Sequence, residues 1–376
     1  MRIRPFGVEQ WMNAYETRCE YNLAETCVES LTVQQLLDLA GETPAALQEL
    51  LPLKLTYGAI RGTDRLRDAI AGLYASQARE SVLVAHGAIG ANALVYQAIV
   101  EPGDRVVAIV PNYQQHYSIP ESLGADVALL RLTERDRFLP DLDELRRLVT
   151  PATKVITFSN PNNPTGSLLA PEQLAEIAAM ADRVGAYVLS DEVYRGASQH
   201  GDQLPPSIVD LYPRGIGTGS MSKVFSLAGL RLGWIVGPPD VIAAAEVHRD
   251  YNTISVGMID DLLASIALEH RDAVLARSRA IVRRNLALLD RWVSGERHVT
   301  YVKPAAGTTA LLKYAADLPS RDVCVRLLEA TGVMFTPGSA LDMEGYLRIG
   351  YANNYLVLEA GLARTSGFLR QLAGRP

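Results

Sequence analysis

Residues 219–234 read GSMSKVFSLAGLRLGW, and Lys223 stands there among Ser220, Ser222, Gly229 and Arg231. A lysine amine condenses with an aldehyde, while neighbouring hydroxyls and a guanidinium hold a phosphate dianion. The string therefore suits a Schiff base to a phosphorylated aldehyde. Taken alone it is as often an ordinary loop lysine, because short matches of this kind mislead.

Three further strings give it weight. Asn160–Gly166 reads NPNNPTG after the apolar run VITFS. Two X-Pro steps and a closing glycine make a rigid turn whatever else they do. In that turn the Asn163 amide is also able to donate to an oxygen on a planar ring. Ser190–Tyr194 reads SDEVY. An aspartate at a strand end caps a turn in the plain case. In the chemical case Asp191 pairs with a protonated pyridine nitrogen, which keeps the ring an electron sink, and Tyr194 bonds the ring phenolate. Gly87–Ala91 reads GAIGA, a strand-to-helix turn whose backbone N–H groups face a phosphate. A dinucleotide site is the rival, but GAIGA lacks the third spaced glycine, as does GIGTGS at 215–220. Tyr113 follows another strand and is either a core tyrosine or a ring-stacking one.

The elements that must position these strings are short β-rich runs at 81–85, 105–110, 127–132, 154–159, 187–190, 216–219 and 232–237. Amphipathic segments such as 90–100 and 171–184 separate them, the second with proline in its first turn. Near-continuous apolar strands alternating with helices predict an α/β fold built on a mostly parallel seven-stranded sheet covered on both faces. Ligands collect at the carboxyl ends of such strands, where GAIGAN, PNY, NPNNPTG and DEVY fall, after Ala85, Val110, Ser159 and Ser190. After about Gly237 the pattern changes. One long helical stretch, 241 to about 294, leads into shorter strands at 299–303, 308–313 and 346–350 and helices at 320–331 and 356–370, which predicts a smaller α+β domain. The expected division is an N-terminal segment over 1–45, a large domain over 46–250 and a small C-terminal domain over 251–376.

The 376 residues are 48% apolar and 21% charged, with net charge −6, which argues against a nucleic-acid or anionic-membrane surface. Three cysteines without CxxC spacing predict no disulfide framework and no metal site. The N-terminus lacks an apolar core of the signal-peptide type, and no apolar run spans a bilayer. The expectation is a cytoplasmic protein with no membrane or nucleic-acid partner.

Together NPNNPTG, SDEVY and SMSKVFSLAGLRLGW make the chain resemble the fold-type-I pyridoxal-phosphate (PLP) enzymes, specifically the class I/II aminotransferases. The resemblance runs from about Leu53 to the C-terminus. It implies PLP as cofactor and an L-α-amino acid as substrate, with Lys223 as Schiff-base residue and Cα-proton base. It implies Asp191 as partner of the pyridine nitrogen, Asn163 and Tyr194 as partners of the ring oxygen, and Tyr113 as the stacking ring. Ser220, Arg231 and the backbone amides of Ala88 and Ile89 would form the phosphate cup. Tyr57 would reach the phosphate of a neighbouring subunit in a homodimer. Arg348, in YLRIGYANN, would clamp the substrate carboxylate with a planar fork that lysine lacks.

One region departs from the family. Where ordinary members carry a glycine- and proline-containing turn over the substrate, residues 19–31 read CEYNLAETCVESL. Residues 1–30 hold five glutamates against three arginines. An exposed charged helix is the plain reading. The sharper one turns Glu9 toward the substrate, where it would bind a cationic side chain. The expected reaction is transamination. The alternative is β/γ-elimination, replacement or cyclisation of a cationic amino acid, such as an arginine derivative or an S-adenosylmethionine-like sulfonium, in natural-product biosynthesis. A regulator built on a decayed enzyme and a nucleotide-binding oxidoreductase fit less well, the first because every catalytic position is filled.

Overall fold

The computed structural model describes residues 2–373. Met1 and residues 374–376, the outer ends of two of the expected segments, lie outside the described residues.

After the short β1 (Tyr21–Asn22), seven strands form the main sheet: β2 (Val82–Ala85), β3 (Arg105–Val110), β4 (Asp126–Arg131), β5 (Thr153–Ser159), β6 (Tyr187–Asp191), β7 (Gly215–Ser220) and β8 (Gly233–Val236). Their order is β2-β8-β7-β6-β5-β3-β4. Only β8 runs antiparallel to its neighbours β2 and β7; all other pairs are parallel. Runs such as VVAIV in β3 are buried throughout, as expected where helices cover both faces. Helix Gly87–Ile99 packs on β7, β8 and helix Pro239–Asp250. Seven of its thirteen residues are buried, which suits its largely apolar composition.

A second, antiparallel sheet is formed by β9 (Val299–Tyr301), β10 (Thr309–Tyr314), β12 (Thr336–Pro337) and β13 (Tyr346–Gly350), in the order β12-β13-β10-β9. The N-terminal residues attach beside it. β1 pairs in parallel with β11 (Val333–Met334). Helix Gly7–Tyr15 rests on β12 and the turn Gly338–Leu341, where the buried Trp11 donates from Nε1 to the Phe335 carbonyl at 2.8 Å.

The single helix expected over 241–294 is instead three: Pro239–Asp250, Met258–Glu269 and Arg271–Gly295. The Arg249 carbonyl accepts from the N–H groups of Asn252, Thr253 and Ile254 at 2.9, 2.9 and 3.1 Å, which closes the first helix. Ile254 then takes φ +60°, a conformation no helix can pass through. Apolar periodicity continues across this break, so the pattern alone did not reveal it. Among the described residues no helix is long and apolar enough to cross a membrane.

Candidate active site

Strand ends of the main sheet and two segments from beyond it line one cavity of about 310 Å³. β6 delivers Asp191, the loop after it Tyr194, and the loop after β5 Asn163. β7 delivers Ser220, followed by Lys223 and Arg231. The start of helix Gly87–Ile99 supplies Ala88 and Ile89, and Tyr113 follows β3. From the smaller sheet Arg348 of β13 enters, and from the N-terminal helix Glu9. Eleven of the twelve residues expected at the site thus meet in one place. Tyr57 does not; it is 75% exposed.

Asp191 is buried and its carboxylate is fixed on several sides. Asn92 Nδ2 donates to Oδ2 at 2.8 Å, the Val193 N–H donates to Oδ1 at 3.2 Å, and His116 Nε2 stands 3.5 Å from Oδ2. Behind them, Thr218 donates to Asn92 Oδ1 at 2.7 Å, and His116 Nδ1 meets Tyr96 Oη at 2.9 Å and Thr157 Oγ1 at 3.0 Å. Such a relay holds a carboxylate in one rotamer where its charge is needed.

Lys223 Nζ donates to Thr26 Oγ1 at 2.6 Å and stands 3.6 Å from Cys27 Sγ. Burial pulls the amine's pKa down, but negative charge at Cys27, Tyr194 and Glu25 outweighs it, and the net lies above the ordinary lysine value. Burial also pushes the Cys27 thiol up, to about 11. Burial alone would raise Glu25. The Lys223 charge and the N–H groups of Thr26 and Cys27, which donate at 2.7 and 2.8 Å, bring it below the usual carboxylate value.

Arg348 is buried, and burial lowers its pKa. Nη2 donates to the Ala24 carbonyl at 3.2 Å and to Thr336 Oγ1 at 3.0 Å, and Nη1 donates to Asn163 Oδ1 at 3.5 Å. Nε has no partner among the described residues, and neither has the buried Tyr194 hydroxyl. At the other end of the cavity, Arg231 sits in the left-handed region at φ 48° beside the first turn of helix Gly87–Ile99. Gly233 allows β8 to touch that turn: a Cβ there would lie 2.4 Å from the Gly87 carbonyl carbon and 2.6 Å from the Ala88 nitrogen.

These groups fit pyridoxal phosphate. A helix start with a hydroxyl and a guanidinium takes a phosphate dianion. A buried, firmly held carboxylate takes a pyridinium, a buried hydroxyl without partner takes the ring oxygen, and a buried lysine takes the aldehyde.

The N-terminal glutamates are only partly the exposed face of the plain reading. Glu9, Glu16 and Glu25 all line the cavity. Tyr113 Oη donates to Glu9 Oε1 at 2.5 Å; burial, and after it the Glu9 charge, holds the Tyr113 phenol above its usual value. Burial and the repulsion of Glu25 and Glu9 raise Glu16. Asn92, His116, Glu25 and Thr26 were missed from the sequence. Asn92 alone left a signal, a polar residue one turn after Ala88 in a largely apolar helix.

The sequence pattern described as aminotransferase class I and II matches residues 35–355. Capreomycidine synthase of Streptomyces vinaceus is 30% identical over 362 residues, 96% of this chain and 92% of that protein. The crystal structure of a PLP-dependent aminotransferase from Streptococcus suis 89-1591 superposes with TM-score 0.96 at 40% identity and covers 100% of both chains. That of the PLP-dependent cyclase OrfR superposes with TM-score 0.90 at 28% identity, over 99% of this chain and 98% of that one.

Proposed function

Because the chain belongs to the class I and II aminotransferases, and so is a PLP-dependent enzyme acting on an amino acid, we propose that it transaminates an L-α-amino acid with a cationic side chain. The carrying observation is the charge of the cavity wall. Glu9, Glu16, Glu25 and Asp191 face Lys223, Arg231 and Arg348. A cofactor phosphate answers Arg231, a substrate carboxylate answers Arg348, and Asp191 is committed to a ring nitrogen. Glu25 sits against Lys223 and two backbone amides, so Glu9 and Glu16 remain for the distal end of the substrate. Glu9 is half-buried and Glu16 is exposed at the mouth, and two carboxylates at one end of a cavity attract a cationic group there.

When bound, pyridoxal phosphate supplies an aldehyde for exchange of amino groups and a conjugated ring that accepts the electron pair left at Cα. The protein does the rest. Ser220, Arg231 and the amides of Ala88 and Ile89 bind the phosphate, and Tyr113 covers one ring face. Asp191 holds a proton at the ring nitrogen, while Asn163 and Tyr194 bind the ring oxygen. Arg348 orients the substrate by its carboxylate, which puts the Cα–H bond within reach of Lys223. The Lys223 amine takes that proton and would deliver it to the carbon that carried the aldehyde, the transfer that transamination requires. The helix Gly7–Tyr15 excludes water from the side of Glu9.

The protein is further proposed to act as a homodimer with shared active sites. Leu51, Leu55, Tyr57 and Tyr251 are large, apolar and exposed, and the segments 55–57 and 255–257 adjoin. A patch of that kind on a soluble protein marks an interface.

A second reading is cyclisation or another β/γ-exchange of the same cationic substrate. The match along nearly the whole chain to a PLP-dependent cyclase supports it, as does the acidic segment 19–31. Mass spectrometry of products from a panel of amino acids, with and without a 2-oxo acid, decides between the two. Transamination requires the acceptor and leaves the carbon skeleton intact; the second reading gives a new skeleton without it. Lys223→Ala is expected to lose the visible absorbance of the cofactor adduct while keeping its fold. Retained absorbance would refute the role of Lys223.

A further inference from the structure

We propose that Thr26 is a positioning residue for Lys223: its hydroxyl holds the free lysine amine so that the nitrogen lone pair points into the cavity. This rests on the reading of Lys223 as the group that moves the Cα proton. Thr26 and Cys27 present the two contacts that Nζ makes, at 2.6 and 3.6 Å. In the cofactor-free chain Nζ is an ammonium near pH 7; in the neutral form that takes the proton it keeps two N–H donors and gains one lone pair. With both donors directed at the wall formed by residues 26 and 27, the lone pair is left facing the open side.

The wall is built to stay in place. The Thr308 hydroxyl donates to the Thr26 carbonyl at 2.6 Å. The Val28 N–H donates to the carbonyl of Lys223 itself at 3.2 Å, tying the segment to the lysine's own backbone. Strand β13 lies so close that a Cβ on Gly350 would stand 1.7 Å from the Glu25 carbonyl oxygen. Ala24, on the same segment, accepts from Arg348. One stretch of chain thereby sets both the group that binds the carboxylate and the group that takes the proton. Orientation at this level matters, since misplacing a reacting group by about 1 Å costs on the order of 10²-fold in rate.

The test compares Thr26→Val, Thr26→Ala and Thr26→Ser. In full-length protein stripped of cofactor, the rate at which acetic anhydride labels Lys223 is measured at pH 9 by peptide mass spectrometry, relative to the exposed Lys54. Loss of an acceptor disfavours the ammonium, so labelling is expected to rise about tenfold in Thr26→Val and Thr26→Ala, equivalent to about one pKa unit. In the loaded enzyme the same two variants are expected to lose about 10- to 100-fold in kcat with KM within about twofold. Thr26→Ser is expected to restore both. Wild-type labelling in the variants, an unchanged kcat, or a serine variant no better than alanine would each overturn the proposal. Because the labelling needs no cofactor, its outcome stands apart from whether Lys223→Ala loses the visible absorbance.

Discussion

Glu9 makes its one strong contact with Tyr113, at 2.5 Å, and so sits where the stacking ring and the substrate's distal end meet. Glu9→Gln keeps the shape and removes the charge. It should lower kcat/KM for cationic amino acids by about tenfold, the worth of roughly one charge-assisted hydrogen bond, and leave neutral ones unchanged. Steady-state kinetics on a matched pair of substrates checks this, and an equal loss for both would discard the cation subsite. Glu192, next to Asp191, offers a separate readout. Burial raises its carboxyl from 4.5 to about 7, although Ser207 donates to it at 2.8 Å and Arg195 stands 3.9 Å away. The folded protein therefore holds this proton more tightly than the unfolded chain. Its contribution is full below about pH 4.5 and is lost as the pH rises through about 7, at most about 3 kcal/mol. Urea unfolding of Glu192→Gln across that window should show a flatter pH dependence than wild type, and parallel curves would contradict the shift.

Between elements, contact distance decides what each position can carry. Strand β8 passes against the first turn of helix Gly87–Ile99 at Gly233, where any side chain would meet the Gly87 and Ala88 backbone. Those are the amides assigned to the phosphate. Gly233→Ala must displace the turn, and titration with pyridoxal phosphate should show cofactor affinity falling by about tenfold or more, with substrate carboxylate binding at the distant Arg348 much less affected. Unchanged affinity would mean that the turn does not bind the phosphate. The small sheet acts through β13 in the same way, bringing Arg348 against the N-terminal segment and Asn163 at once.

For the whole molecule, the apolar residues left exposed near Leu55 and Tyr251 predict a dimer. Light scattering should give a mass of about twice 40.9 kDa. Tyr57→Phe should keep that mass and weaken cofactor binding by about tenfold, one hydrogen bond to a charged phosphate. A monomer with full activity would end the shared-site proposal.

The main sheet, its strand-end strings and the residues Asn163, Asp191, Tyr194 and Lys223 were legible in the sequence because their signals are local. Apolar runs, Pro and Gly punctuation and short motifs lie within a few residues of one another. Where the signal was local but incomplete, as across 251–257 and at His270, three helices read as one. What tertiary structure alone decided are contacts between residues far apart in the chain: Thr26 with Lys223, 197 residues apart, Glu9 with Tyr113, 104 apart, and Ala24 with Arg348, 324 apart. No periodicity or composition encodes which distant side chains will share a cavity, since that depends on how two sheets and an N-terminal segment close on one another. The sequence determined the cofactor chemistry that the chain is equipped for; folding determined which carboxylates and hydroxyls surround that chemistry.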